Sequence, residues 1–252
     1  MLEAKGISVS FGGVSAVSGV SLSVDTDELV GLVGPNGSGK TTFLNAVCGA
    51  VAASGNLRID GKSVPLCRPG AAWRAGLSRM FQAPQTFEEL CCIENVLLGS
   101  SEMGWRGLSG AWIARHYMWR SERRRWARAM EMLELVGLAD YATEEASLLT
   151  YGQRRLLELA RALGSDPKVL LLDEPSAGLN TAETMELGER LVEIRRSGVA
   201  VIVVDHKVDF LDAICDRLVV LQLGEVIAEG PPEEVWKHEQ VVSAYLGVPG
   251  GA

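Results

Sequence analysis

No stretch of this chain approaches the ~20 consecutive apolar residues that a membrane-spanning helix requires. Its longest apolar runs, Val169–Leu172 and Val199–Val204, have the length and branching of buried parallel strands instead. The first residues read as a strand, with neither a basic leader nor an apolar leader core, so no secretory signal peptide is expected. The five cysteines, Cys48, Cys67, Cys91, Cys92 and Cys215, lack paired metal-binding spacing. An odd number without an export signal points to reduced thiols in a cytosolic setting. The adjacent Cys91 and Cys92 are awkward to bridge and read as packing residues. Basic excess is also missing. The formal net charge is -8, which argues against general nucleic-acid binding. There is no internal repeat and no low-complexity segment. Hydrophobic residues make up 47% of the 252, enough for a sizeable core. That length suits one large domain, or one domain carrying an inserted subdomain.

What is present is more telling. The stretch Gly34-Pro35-Asn36-Gly37-Ser38-Gly39-Lys40-Thr41-Thr42 fits the pattern G-x-x-x-x-G-K-[ST]. The run Leu29–Val33 before it predicts a buried strand, and Thr42–Val47 after it the first turns of a helix. Glycines let successive backbone N–H groups turn inward toward phosphate oxygens, and the helix start adds its positive dipole end. Lys40 can reach the β- and γ-phosphates, and the Thr41 hydroxyl can ligate Mg²⁺.

Around this loop, residues 2–33 predict strands with turns at Gly12-Gly13 and at 25–28. Val14–Val24 alternates, with Val14, Ala16, Val20, Leu22 and Val24 on the apolar side. A short strand near 56–60, a Gly- and Pro-containing loop and a strand at Leu77–Phe81 follow. From about Leu90 to Glu145 the pattern is helical. Helix and strand then alternate: Gly152–Leu163, Val169–Leu172, Thr181–Arg196 and Val199–Val204. This alternation predicts an α/β fold with a parallel sheet. The block between Gln82 and Leu149 interrupts it and is expected to form a helical subdomain, at about 83–150. The tail 231–246 predicts short helices opened by Pro231-Pro232-Glu233-Glu234.

A second motif is Val169-Leu170-Leu171-Leu172-Asp173-Glu174-Pro175. Asp173 leaves the strand at its C-terminal end, where parallel α/β sheets place ligand groups. There it can hold the Mg²⁺ shell, and Glu174, projecting differently, can contact a water in line with the γ-phosphate.

Together these motifs resemble the ATP-binding subunit of an ABC transporter, over essentially the whole length. The resemblance implies a phosphate-loop NTPase core with an N-terminal antiparallel β part and the inserted helical subdomain. Leu149-Thr150-Tyr151-Gly152-Gln153 is similar to the family's signature segment, which offers a helix N-terminus to ATP held on a partner subunit. Thr150 stands where serine is commoner and Tyr151 where a second glycine is. Gln82 matches the glutamine that touches the Mg²⁺ site, so Thr41, Gln82 and Asp173 form the implied metal set. Ser176–Asn180 resembles the loop that crosses the dimer seam. His206 stands at the switch-histidine position, followed by Lys207 where an aspartate is more usual. Phe11 stands where an aromatic stacks on adenine, with Val17 expected at the ring's edge. The implied catalytic set is Glu174, His206, Gln82 and Lys40.

The resemblance further implies ATP and Mg²⁺ as cofactors and a homo- or heterodimer with a second ABC ATPase. It also implies integral-membrane permease subunits, an indirect solute-binding protein and no nucleic acid. The expected location is peripheral, on the cytoplasmic face of the membrane. Phe11–Val17, Thr150–Arg161, Gly76–Gly99 and Ala244–Gly247 resemble ATPases of branched-chain amino acid importers. Importers of urea or amides and lipid or lipopolysaccharide exporters stand as alternatives. Trp105, Trp112, Trp119 and Trp126 recur every seven residues among arginines. They allow two readings: core packing beside a solvated face, or a helix near anionic headgroups.

Overall fold

The computed structural model describes residues 1–68, 70–82, 85–100 and 111–246, with side chains described for all of these except 111–121 and 246. The chain divides into two compact units. One comprises Met1–Gln82 with Lys168–Ala252, and the other Ala83–Pro167.

The first unit opens with β1 (Leu2–Phe11), β2 (Val14–Val24) and β3 (Leu29–Val33), then α1 (Lys40–Val47). Next come β4 (Ser54–Ile59), β5 (Lys62–Val64), α2 (Ala71–Arg74) and β6 (Leu77–Met80). The second unit carries α3 (Cys92–Gly99), α4 (Ala111–Leu135), 3-10 turns at Ala139–Tyr141 and Ala146–Leu148, and α5 (Tyr151–Leu163). The chain then returns to the first unit with β7 (Val169–Asp173), α6 (Thr181–Arg196), β8 (Ala200–Val204) and α7 (Val208–Ile214). It ends with β9 (Arg217–Gln222), β10 (Glu225–Gly230), α8 (Pro232–Val235) and α9 (Glu239–Leu246).

Two sheets form in the first unit. β2-β1-β4-β5 is antiparallel, and the second runs β10-β9-β3-β8-β7-β6. In the second sheet every neighbour pair is parallel except β9 with β10. β3, β7 and β8 are buried along their whole length, as the unbroken apolar runs require of strands covered on both faces. Each fully buried Val, Leu or Ile contributes roughly 1.5–3 kcal/mol, so these strands form the stable floor beneath the loops at their C-terminal ends. Phe43 and Leu44 of α1 join the same core as Val30, Leu32 and Ile202.

Three differences from the sequence reading have physical causes. Val14 is exposed and Val17 is fully buried, the reverse of a strict two-residue alternation from Val14. Gly19, at φ 63, accompanies irregular pairing between β1 and β2, which shifts the phase of the strand. The hairpin β9–β10 was not anticipated. It turns on Leu223-Gly224, at φ 50 and 85, and leucine is not a usual residue for such a turn. The second unit runs on to Pro167, past residue 150, because α5 packs against α3 and α4.

Within that unit the fully buried Asn95 secures the loop leading into α3. It accepts from the Phe87 N–H at 2.8 Å and donates to the carbonyls of Phe87, Leu90 and Cys91. Trp105 lies outside the described residues, as do the side chains of Trp112 and Trp119. Trp126 is exposed on α4, so this ring is not a core residue of the unit.

Candidate functional site

The order of the parallel strands places the chemistry. β6, β7, β8 and β3 are successive neighbours, and from their C-terminal ends emerge Gln82, Asp173 with Glu174, His206, and the glycine-rich loop. This is the edge at which open α/β sheets bind ligands.

The loop 34–39 is held by close approach. A Cβ at Gly34 (φ 148) would sit 2.1 Å from the Leu221 carbonyl oxygen, and one at Gly39 (φ 105) 2.5 Å from that of Ala16. The unanticipated hairpin supports the loop from outside. Gly224 N–H donates to the Ser38 carbonyl at 3.0 Å, and its own carbonyl accepts from Ser18 N–H at 2.8 Å. Pro35 is half-buried, Asn36 and Gly37 are exposed, and nothing lies within 4 Å of a Cβ at Gly37. Gly39 starts α1 with no side-chain cap, so the helix presents bare N–H groups at the loop mouth, where Thr41 is exposed and Thr42 half-buried.

Lys40 is buried, and its Nζ donates to the Gly34 carbonyl at 2.7 Å and the Pro35 carbonyl at 2.9 Å. Burial lowers the ammonium pKa, against the opposing pull of Glu174 and Asp173. The Ser38 hydroxyl is buried and has no hydrogen-bond partner among the described residues. A buried donor left unmade is costly, so the loop carries both a free hydroxyl and a cation turned on its own backbone. Both fit a phosphate bound in the loop.

Glu174 gathers the other polar groups. Gln82 Nε2 donates to one carboxylate oxygen at 2.7 Å, and His206 Nε2 lies 2.8 Å from the other. An ionised carboxylate can only accept, so the imidazole is the donor there. Glu174 has φ 50, an uncommon conformation for a non-glycine residue, held by its N–H donating to the Val204 carbonyl at 2.7 Å. The conformation turns this side chain away from the strand direction of Asp173.

Asp173 is buried and ion-paired with Arg79 Nη2 at 2.6 Å. Arg79 Nη1 donates to Asn45 of α1 at 2.6 Å, and the guanidinium lies 4.8 Å from the Phe81 ring centroid. Sequence reasoning missed Arg79. The signal was there: an arginine between the apolar Leu77 and Met80 of a strand must be paired if buried. It also missed Asp205, a buried acid at the end of β8, in the same position relative to its strand that drew attention to Asp173. Asp205 Oδ1 accepts from the Ser176 hydroxyl at 2.8 Å and from the His206 N–H at 2.7 Å.

Phe11 is half exposed at the end of β1, available to a planar ligand. Val17 is fully buried in the core behind the loop, on the inner side of β2 after the phase shift. In the second unit Thr150 caps α5. Its hydroxyl accepts from Gln153 N–H at 3.2 Å, while Gln153 Oε1 accepts from Thr150 N–H at 2.9 Å. Gly152 is buried, and Tyr151 is exposed. The reciprocal cap leaves α5 a stable, outward-presented N-terminus.

For a metal, the Thr41 hydroxyl, the Asp173 carboxylate and the Gln82 carbonyl oxygen are hard oxygen donors of the kind Mg²⁺ takes beside phosphates. Gln82 donates its amide N–H to Glu174, so its carbonyl oxygen is the atom of that side chain suited to a metal.

Comparison with known proteins bears on the family and the fold. Residues 17–177 match the family described as ABC transporter, and residues 225–250 that described as branched-chain amino acid ATP-binding cassette transporter. Over 250 residues the chain is 36% identical to the high-affinity branched-chain amino acid transport ATP-binding protein BraF of Pseudomonas aeruginosa, with 98% of each chain covered. Over 249 residues it is 35% identical to the corresponding LivG of Escherichia coli, again with 98% of each covered. Among solved structures, the ADP conformation of an ATP-binding cassette of an ABC transporter superimposes with a TM-score of 0.84 at 29% identity, covering 98% of both chains. A nucleotide-free ATP-binding cassette gives 0.83 at 28% identity, covering 97% of this chain and 98% of that one. The chain therefore belongs to the ATP-binding cassette family of ABC transporters, the ATPase subunits of transporter complexes.

Proposed function

We propose that this chain hydrolyses ATP to power import of a branched-chain amino acid or similar small solute through separate integral-membrane subunits. The observation that carries the reading is the convergence of Gln82 and His206 on Glu174, beside the loop that holds Lys40. The solute class is drawn from the printed function of the relatives.

In this reading Lys40 leaves the Gly34 and Pro35 carbonyls for the β- and γ-phosphates, and the loop N–H groups and the Ser38 hydroxyl complete the cradle. Phe11 stacks on adenine. Thr41, Gln82 and Asp173 hold Mg²⁺, which when bound neutralises charge on the phosphates. Glu174 orients the attacking water, and His206 contacts the γ-phosphate. Catalysis rests on positioning and on stabilising charge on the transferring phosphoryl group.

The signature residues Thr150, Tyr151, Gly152 and Gln153 meet ATP on a second ABC ATPase, identical or sister. ATP then favours the closed pair through γ-phosphate contacts that ADP lacks, and only such differential affinity can drive the change. The helical unit passes the motion to the permeases at the cytoplasmic face. Among the described residues no helix is long and apolar enough to cross a membrane, consistent with a peripheral subunit.

The test is phosphate release by the chain assembled with its permeases in proteoliposomes. Stimulation by leucine presented on the solute-binding protein is the expected result. Stimulation by urea, an amide, or a lipid or lipopolysaccharide in its place overturns the solute assignment, and no phosphate release overturns the activity.

A further inference from the structure

Lys207 stands at the start of α7, where the resemblance leads one to expect an aspartate, and an acid there could not make the contacts this lysine makes. Its Nζ donates to the Leu179 carbonyl at 3.0 Å and to the Thr184 hydroxyl at 2.9 Å. Thr184 passes its own proton on to the Asn180 carbonyl at 2.7 Å. The far end of the segment Ser176–Asn180 is thus tied to a side chain next in sequence to His206.

The near end is tied from the other side of the histidine. Asp205 Oδ2 accepts from Ser176 N–H at 3.1 Å, and Oδ1 from the Ser176 hydroxyl at 2.8 Å. The same Oδ1 also accepts from the N–H groups of His206 and Lys207, at 2.7 and 3.1 Å. Asp205 and Ser176 are buried, which strengthens these bonds and makes them costly to break. Inside the segment, Ala177 N–H donates to the Glu174 carbonyl at 3.1 Å and Leu179 N–H to the Ser176 carbonyl at 3.2 Å. These attachments lead to Glu174 and to the two residues flanking His206, while Asn180 is also held by Glu183 of α6.

We propose that Lys207 is a positioning residue: with Asp205 it makes the 176–180 loop follow His206. When His206 exchanges Glu174 for a γ-phosphate oxygen, its two neighbours carry the backbone displacement to both ends of the loop. The loop then reports, at the seam with the second ATPase, whether the γ-phosphate is present. This rests on the dimer reading given above. The contribution of Lys207 is a feature of this chain, since it replaces the residue expected there.

The experiment compares Lys207→Met and Lys207→Arg in the full chain, alone and combined with Glu174→Gln. Hydrogen exchange on the single chain without nucleotide comes first. The amides of Ala177 and Leu179 should exchange at least roughly tenfold faster in Lys207→Met and within about threefold of wild type in Lys207→Arg. In turnover, Lys207→Met should lower kcat at least about fivefold with KM for ATP within about twofold, and Lys207→Arg should restore most of it. In the Glu174→Gln background, Lys207→Met should abolish the ATP-dependent dimer on gel filtration. Should Lys207→Met not fold, Thr184→Val removes one acceptor of the lysine with little change of shape and takes its place. Wild-type exchange in these amides overturns the latch, and faster exchange with unchanged kcat overturns its role in turnover. Failure of Glu174→Gln alone to dimerise with ATP overturns the dimer reading instead, while the exchange measurement still judges the latch.

Discussion

His206 Nε2 and the Glu174 carboxylate lie 2.8 Å apart, and Gln82 occupies the other oxygen of the same carboxylate at 2.7 Å. Each partner comes from the end of a different strand, so any shift between these strands is felt at one carboxylate. Glu174→Gln keeps the shape and the Gln82 and His206 neighbours but removes the charge. It should leave ATP affinity within about threefold while lowering phosphate release by roughly 10²–10³, the scale of losing one preorganised electrostatic group. Gel filtration with ATP should then show a trapped dimer. Turnover near that of the wild type would remove Glu174 from the catalytic role.

The loop glycines differ in why they are needed, and that difference can be measured. Alanine at Gly34 meets the Leu221 carbonyl at 2.1 Å in a backbone region that disfavours any side chain. Alanine at Gly37 meets nothing within 4 Å and carries only the conformational strain of φ 79. Strain of that kind costs roughly 1–3 kcal/mol, and the clash at Gly34 adds to it. Urea unfolding should therefore show Gly34→Ala clearly less stable than Gly37→Ala. Equal midpoints would mean the loop yields at Leu221 without cost.

Arg79 and Asp173 form a buried pair at 2.6 Å, so the two single substitutions and the double should not add. Arg79→Met leaves a buried carboxylate unpaired and should cost about 3–5 kcal/mol in thermal or urea unfolding. Combining it with Asp173→Asn removes the charge and should recover a good part of that loss. A double variant as unstable as the sum of the singles would show that the two act independently.

The site was legible in the sequence wherever one strand ends in one motif. Lys40 and the phosphate loop, Asp173 after Val169–Leu172, and His206 after Val199–Val204 were all placed by an apolar run followed by polar residues. The length and branching of such a run fit a buried strand, and the polar residues after it mark the loop at the strand's end. What was not legible depends on contacts between distant segments. Arg79 gains its meaning from Asp173, and the turn at Gly224 from Ser38 and Ser18. Leu77 and Met80 signal that Arg79 needs a partner, but nothing along the chain names Asp173, and nothing along it ties Gly224 to Ser38 and Ser18. Val17 shows a second limit. The period of two holds only while pairing stays regular, and the irregularity near Gly19 turned a residue expected at the surface into core. The hairpin β9–β10 stayed hidden because Leu223 occupies a turn position that Asn, Asp or Gly usually marks.

The five cysteines are free, and burial sorts them by reactivity. Cys92, buried in α3, is pushed up to about 11 from the ordinary 9.0, and burial also raises Cys215 and Cys48. Since the thiolate is the nucleophile, a thiol with a pKa of about 11 is ionised in only about one molecule in a thousand at pH 8. Iodoacetamide on the native protein at that pH should modify the exposed Cys67 and spare Cys92 and Cys215, as read by peptide mass spectrometry. The same shifts set a stability trend. A raised folded pKa contributes stability that is fully present below the unfolded value of 9.0. As pH climbs past that value, the unfolded chain releases protons that the folded one retains. Urea midpoints should therefore fall from about pH 9 toward pH 11, and Cys92→Ala should flatten part of that slope. Rapid alkylation of Cys92 at pH 8 with the fold intact would show that α3 opens far more readily than its packing allows.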